Sequence, residues 1–209
     1  MFQIGHSICP INDNNHEELR FFVPGYRGII GGIDKEMRDG KFIYVYRNPM
    51  DQMYALWVHS QNHIDEQHLM NFDRELITDF NDFVFEVALQ GYVKQFLTWW
   101  EYRDNPEILM VPYENLVEHT GNTFETMLNH FKIPVNRNKV AVALAWSNKH
   151  VLKYLEPDHG LADDRTNKGT HIHDGTVGGW ENKYTMRQVC QVENFLRQYG
   201  LSLDMFEGV

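Results

Sequence analysis

Cysteine is scarce in this chain, positive charge is in deficit and long apolar runs are missing, and each shortage excludes a class of protein. Cys9 and Cys190 are the two cysteines in 209 residues. They make neither a disulfide framework nor a metal-ligand spacing, and both read as ordinary thiols. With 19 Lys and Arg against 29 Asp and Glu, the formal net charge is -10. No long basic stripe exists to displace phosphate counterions, so no nucleic-acid partner is expected, and a polyanionic ligand would have to be held by local positive groups. No run of about 18 apolar residues occurs, so no membrane span is expected. The polar start MFQIGHSICPINDNN lacks the basic and apolar regions of a signal peptide, which makes the cytosol the expected location. There is no internal repeat and no low-complexity tract. What is there is 43% hydrophobic content, enough for one full α/β core. A single domain over residues 1–209 is expected.

Hydrophobic periodicity predicts alternating strands and helices. Phe42 to Tyr46 is an unbroken aromatic and β-branched run, which suits a strand covered on both faces of a parallel sheet. Ile108 to Val111 reads as a second buried strand. A short strand at Phe2 to Ile8 and a short helix at Ile33 to Arg38, ended by Gly40, are weaker signals. A helix should follow Pro49, which is tolerated in a first turn. Phe83 to Tyr102 has the clearest helical period, with Val84, Val87, Ala88, Gly91, Tyr92, Phe96 and Trp99 on one face. Further helices are expected over Thr123 to Phe131, over Asn138 to Leu155 with a break near Trp146-Ser147-Asn148, and over Met186 to Tyr199. The polar, glycine-rich stretch Glu156 to Lys183 is a long loop, and loops of that length in a compact domain are usually functional or disordered.

Three segments carry chemistry. KFIYVYRNPMDQM, Lys41 to Met53, sends the first strand into a turn that presents Arg47, Asn48 and Asp51. The crevice beyond the carboxyl ends of parallel strands is where open α/β sheets bind ligands, and a guanidinium fork there suits a phosphate. ILMVPYENL, Ile108 to Leu116, ends a strand in Tyr113-Glu114. In His173-Asp174-Gly175-Thr176-Val177-Gly178-Gly179-Trp180-Glu181-Asn182, three glycines permit positive φ and let backbone N–H groups approach an anion. In order and rough spacing these segments resemble the 3′-phosphate signature, the Tyr-Glu strand and the carboxyl-terminal phosphate loop of the sulfotransferases, which use the sulfate donor PAPS and release PAP.

The resemblance implies a three-layer α/β fold in which helices flank a central, mainly parallel sheet, the P-loop NTPase-like architecture of that family. It implies nucleotide binding by Arg47, Tyr113 beside adenine, His173, Gly175, Gly178 and Trp180, and sulfuryl transfer to a hydroxyl or amine of a small-molecule or glycan acceptor. A homodimer is compatible with it. Glu114 reads as structural, and Trp180 also suits packing the loop onto the domain.

Several positions depart from the family pattern. No glycine- and serine-rich donor loop with a lysine precedes Arg47, and Gly28 and Gly31-Gly32 lie in the wrong context. The chain is therefore expected to lack the family's amino-terminal 5′-phosphosulfate loop, as a truncated product, a mis-called start or a diverged paralogue. Ala55 stands where a serine is expected, and His173-Asp174 replaces Arg-Lys, with Arg165 and Lys168 upstream as candidate compensating cations. The position of the family's catalytic histidine falls on Gly25. No base is assigned; His6, His16, His59 and His63 are the alternatives considered. His159, His171 and His173 do not make a recognisable zinc pattern. These departures keep a second reading open, a catalytically inactive nucleotide-binding or interaction module, and a third, a fragment completed by another chain.

Overall fold

Phe42–Tyr46 forms strand β1 and Ile108–Pro112 forms β2, paired in parallel from Phe42 opposite Ile108 to Tyr46 opposite Pro112. The computed structural model describes residues 41–62, 79–155 and 176–208. The strand expected at Phe2 to Ile8 and the helix at Ile33 to Arg38 lie outside the described residues. Parallel strands need a long crossover, and helices fill it here: α1 (Pro49–Asn62), α2 (Phe80–Asp82), a π-helical segment (Phe83–Ala88) and α3 (Leu89–Trp100). After β2 come α4 (Tyr113–Glu118), α5 (Thr120–His130), α6 (Arg137–Trp146), α7 (Lys149–Leu155), a 3-10 turn at Gly179–Asn182, α8 (Met186–Gln198) and a second 3-10 turn at Leu203–Phe206. The expected α/β class with a parallel sheet is what the chain adopts.

The core is built from aromatic rings on one face of β1. Tyr44 stacks on Trp99 at 4.9 Å, and Tyr46 packs against Phe96 at 5.4 Å and Phe206 at 6.4 Å. Phe206, fully buried, meets Phe96 at 4.4 Å, so the carboxyl-terminal turn seals the same cluster. Val45 points the other way and is 41% exposed. Successive strand side chains alternate sides, and on that second face Val111, opposite Val45 in the register, is buried.

The long helical pattern at Phe83 contains a register change. Asp79 caps its start by accepting from the Asn81 and Asp82 amides. Within the π segment the Leu89 N–H reaches back five residues to the Val84 carbonyl. One extra residue per turn rotates the buried stripe, so Val84, Leu89 and Val93 are buried together, alongside the expected Ala88, Phe96 and Trp99. Unbroken α-helical spacing would have left Leu89 and Val93 off the core face. The expected break after Trp146 is present, with α6 ending there and α7 starting at Lys149. Helix α8 begins with a capping box, Thr185 and Gln188 satisfying each other's backbone amides, and buries Val192 and Leu196.

Candidate functional site

Strand register places the site. Because Tyr46 is opposite Pro112, the next residue on each chain, Arg47 and Tyr113, leaves the sheet at the same level. Asn48 then turns the chain into α1: its side-chain oxygen accepts from the Met50 amide at 2.9 Å and its carbonyl accepts from Gln52 at 2.9 Å. Pro49 follows at the first helical position, where its missing N–H costs nothing. On the other strand Pro112 ends the ladder and Tyr113 opens α4, so Tyr113-Glu114 is the start of a helix and not the end of a strand.

The Arg47 guanidinium lies over the Tyr113 ring, 4.5 Å from its centroid, close enough for a cation–π contact. Its Nη2 donates to the Thr176 carbonyl at 2.7 Å and sits 3.8 Å from the Asp51 carboxylate. Its Nε is buried with no hydrogen-bond partner among the described residues. Asp51, one turn further along α1, is 3% exposed. Its Oδ2 accepts from the Gly178 N–H at 2.8 Å and its Oδ1 from the Trp180 N–H at 2.9 Å. Bonds to an ionised acceptor are the stronger kind, so this carboxylate is the anchor that ties the glycine loop to α1.

Two further buried groups support the turn. The Tyr92 hydroxyl, from α3, accepts from the Arg47 N–H at 3.0 Å and donates to the Arg47 carbonyl. Burial pushes this phenol well above its ordinary range, while its bond to the Arg47 backbone acts in the opposite direction. Glu114 is 6% exposed; its Oε1 accepts from the Asn48 N–H at 3.4 Å and its Oε2 has no partner among the described residues. Burial raises its carboxyl above the ordinary range, partly offset by backbone donors, including the Asn48 N–H, and by Arg47.

The structure brings Arg47, Tyr113, Gly178 and Trp180 into one neighbourhood. His173, Gly175, Asp174, Arg165 and Lys168 lie outside the described residues, as do His6, His16 and His63. Trp180 is partly buried against the core, its indole part of the packing that seats the loop. Of the described loop glycines only Gly178 has positive φ, at 71°, while Gly179 does not. The backbone N–H groups of Gly178 and Trp180 donate to the protein's own Asp51, a carboxylate carried by α1. Asp51 was visible at the turn in sequence, yet its partners, over a hundred residues away, were not. Tyr92 left even less trace, since it fits the apolar stripe of its helix. Among the described residues no helix is long and apolar enough to cross a membrane, and no group of three metal-binding side chains occurs.

Comparison with known proteins bears on this geometry. A family model described as a sulfotransferase domain matches residues 33–200. The chain is 21% identical over 189 residues to an amine sulfotransferase of Oryctolagus cuniculus, covering 88% of this chain and 62% of that protein. It is 24% identical over 164 residues to a 3-alpha-hydroxysteroid sulfotransferase of Cavia porcellus, covering 76% and 54%. The chain therefore spans less than two thirds of the length of these relatives. Among solved structures, mouse sulfotransferase SULT7A1 complexed with PAP superposes with a TM-score of 0.62 at 19% identity, over 81% of this chain and 62% of that one. Retinol dehydratase in complex with androsterone and inactive cofactor PAP superposes with a TM-score of 0.60 at 15% identity, over 76% and 46%.

Proposed function

Since the chain belongs to the sulfotransferase family, we propose that it binds PAPS and its product PAP, with the 3′-phosphate at Arg47, and passes the sulfuryl group to a hydroxyl or amine of a small-molecule or glycan acceptor. We further propose that it acts as a single domain in the cytosol. The observation that carries the reading is the Arg47 guanidinium: held by Tyr113, Thr176 and Asp51 at the carboxyl end of a parallel strand, it keeps a buried Nε–H without a partner among the described residues. A buried donor left unsatisfied costs free energy that an incoming anion would recover. The residues fit a nucleotide phosphate in their donor chemistry, with a planar fork for oxygen acceptors and an aromatic ring at its side. PAPS supplies the transferable sulfuryl group; the chain's part in this reading is to orient the nucleotide through Arg47 and Tyr113 and to hold the loop from Thr176 to Trp180 against α1.

One observation favours the non-catalytic reading of the same site. With the Gly178 and Trp180 amides committed to Asp51, fewer backbone donors remain for a ligand than the loop sequence suggests. The catalytic reading and an inactive nucleotide-binding module both require PAP binding and separate on turnover, whereas an interaction module would bind no PAP. Calorimetric titration with PAP should show saturable binding, and replacing Arg47 with Ala should weaken it by about 1.5–3 kcal/mol, the worth of a hydrogen bond to a charged group. Equal PAP affinity in parent and variant would refute the site. Sulfuryl transfer from PAPS to a panel of amines and hydroxyl compounds then decides activity; binding without transfer to any of them identifies the inactive module.

A further inference from the structure

Arg47 sits just past the end of the ladder, where its own backbone has lost the sheet as a partner. Register assigns Tyr46 to Pro112, and the residue after Pro112 has already turned into α4. Among the described residues no strand residue therefore pairs the Arg47 N–H and carbonyl. Both are nonetheless bonded, and to one atom: the hydroxyl of Tyr92, across from α3, accepts from the N–H at 3.0 Å and donates to the carbonyl. A phenol can do both, having one donor and lone pairs to spare. Its ring packs against the fully buried Phe206, 6.2 Å between centroids, which seats the clamp on the core.

We propose that Tyr92 is a positioning residue for the Arg47 anion site, its hydroxyl taking the place of a ladder partner and fixing the backbone from which the guanidinium projects. The functional arm of this inference rests on Arg47 being the phosphate ligand; the backbone arm does not. Fixing φ and ψ of Arg47 sets where the fork reaches, and a site misplaced by even a fraction of its hydrogen-bond length loses affinity. Phenylalanine would fill the same core volume but leave the Arg47 N–H and carbonyl unsatisfied, releasing the turn to find other partners. Tyr184 supplies the matched control. Its buried hydroxyl donates to the Met50 carbonyl at 3.1 Å, the same chemistry without contact to Arg47.

The test compares Tyr92→Phe, Tyr184→Phe, Arg47→Ala and the Tyr92→Phe, Arg47→Ala double variant, using PAP as the calorimetric probe and NMR amide hydrogen exchange as a ligand-free readout. Both phenylalanine variants should lose some stability. Only Tyr92→Phe should weaken PAP, by roughly tenfold, and this loss should vanish in the Arg47→Ala background because the hydroxyl acts through that side chain. Exchange at the Arg47 amide should accelerate in Tyr92→Phe and stay at the parent rate in Tyr184→Phe. An equal loss of PAP affinity with and without Arg47, or PAP affinity untouched by Tyr92→Phe, would overturn the positioning role. If the parent does not bind PAP, the proposed function falls and exchange alone decides the clamp: an unchanged Arg47 amide rejects it, an accelerated one upholds it.

Discussion

Replacing Asp51 with Asn tests the reasoning about the site most directly, because it changes one oxygen to a nitrogen and nothing in shape. In the parent, Asp51 accepts from the Gly178 amide at 2.8 Å and the Trp180 amide at 2.9 Å, with Arg47 3.8 Å away. Each bond to a carboxylate is worth about 1.5–3 kcal/mol. Asparagine keeps one neutral acceptor but points an NH2 group at the other loop amide, donor against donor, so one bond weakens and one is lost with its N–H left unsatisfied. The expected cost is about 2–4 kcal/mol, moderated by whatever water reaches the loop. In a chain of this size about 1 kcal/mol shifts the melting temperature by roughly 2–4 °C, so the variant should melt roughly 4–16 °C lower. The Gly178 and Trp180 amides should also exchange faster, while amides in the Phe96–Phe206 core should keep their order of protection. A melting temperature within about 1 °C of the parent, with the two loop amides exchanging at parent rates, would show that Asp51 does not hold the loop.

Other consequences are as concrete. Glu114 has its carboxyl raised above the ordinary value of 4.5 chiefly by burial, with Asp51 adding to the shift and Arg47 opposing it. A folded-state pKa above the unfolded one means that the contribution to stability is complete below 4.5 and declines as pH rises through the folded value. Glu114→Gln should therefore gain stability relative to the parent on going from about pH 4 to about pH 7, measured as urea midpoints; a difference that does not change with pH would contradict the burial argument. The glycine loop gives a contrasting pair. Gly178 sits at φ 71°, so Gly178→Ala should destabilise by about 1–2 kcal/mol. Gly179 has ordinary φ, and an added Cβ would meet the Thr176 Cβ at 3.5 Å and Asp51 Oδ1 at 3.6 Å, normal contacts, so Gly179→Ala should stay within about 0.5 kcal/mol of the parent by denaturant unfolding. Equal costs at the two positions would mean that the left-handed turn is not what fixes the loop.

Local patterns were enough for much of the architecture. Phe42 to Tyr46, aromatic and β-branched throughout, and the apolar run Ile108 to Val111 are strands because such short runs suit a pleated surface, and their parallel pairing follows from the helices between them. The helix after Pro49, the interruption after Trp146 and the final helix from Met186 are set by capping and periodicity, which act within a few residues. Less legible was anything that depends on register between distant segments. The π segment at Phe83–Ala88 shows this well: its sequence carries no local mark of the extra residue in the turn, and the burial of Leu89 and Val93 in the core accompanies it.

The sequence by itself determined the family, the two strands, and Arg47 as the cation at the end of the first, because these are written in contiguous residues. Tertiary structure alone decided what surrounds that cation. Asp51 and the Gly178 amide are separated by 127 residues, and Arg47 and the Tyr92 hydroxyl by 45, so neither pairing leaves a mark on local composition. The loop glycines look equally suited to a bound phosphate and to an internal carboxylate, since an exposed N–H accepts either partner. Which one it meets depends on the direction in which α1 leaves the strand, and that is fixed by the packing of α1 and α3 beneath the sheet.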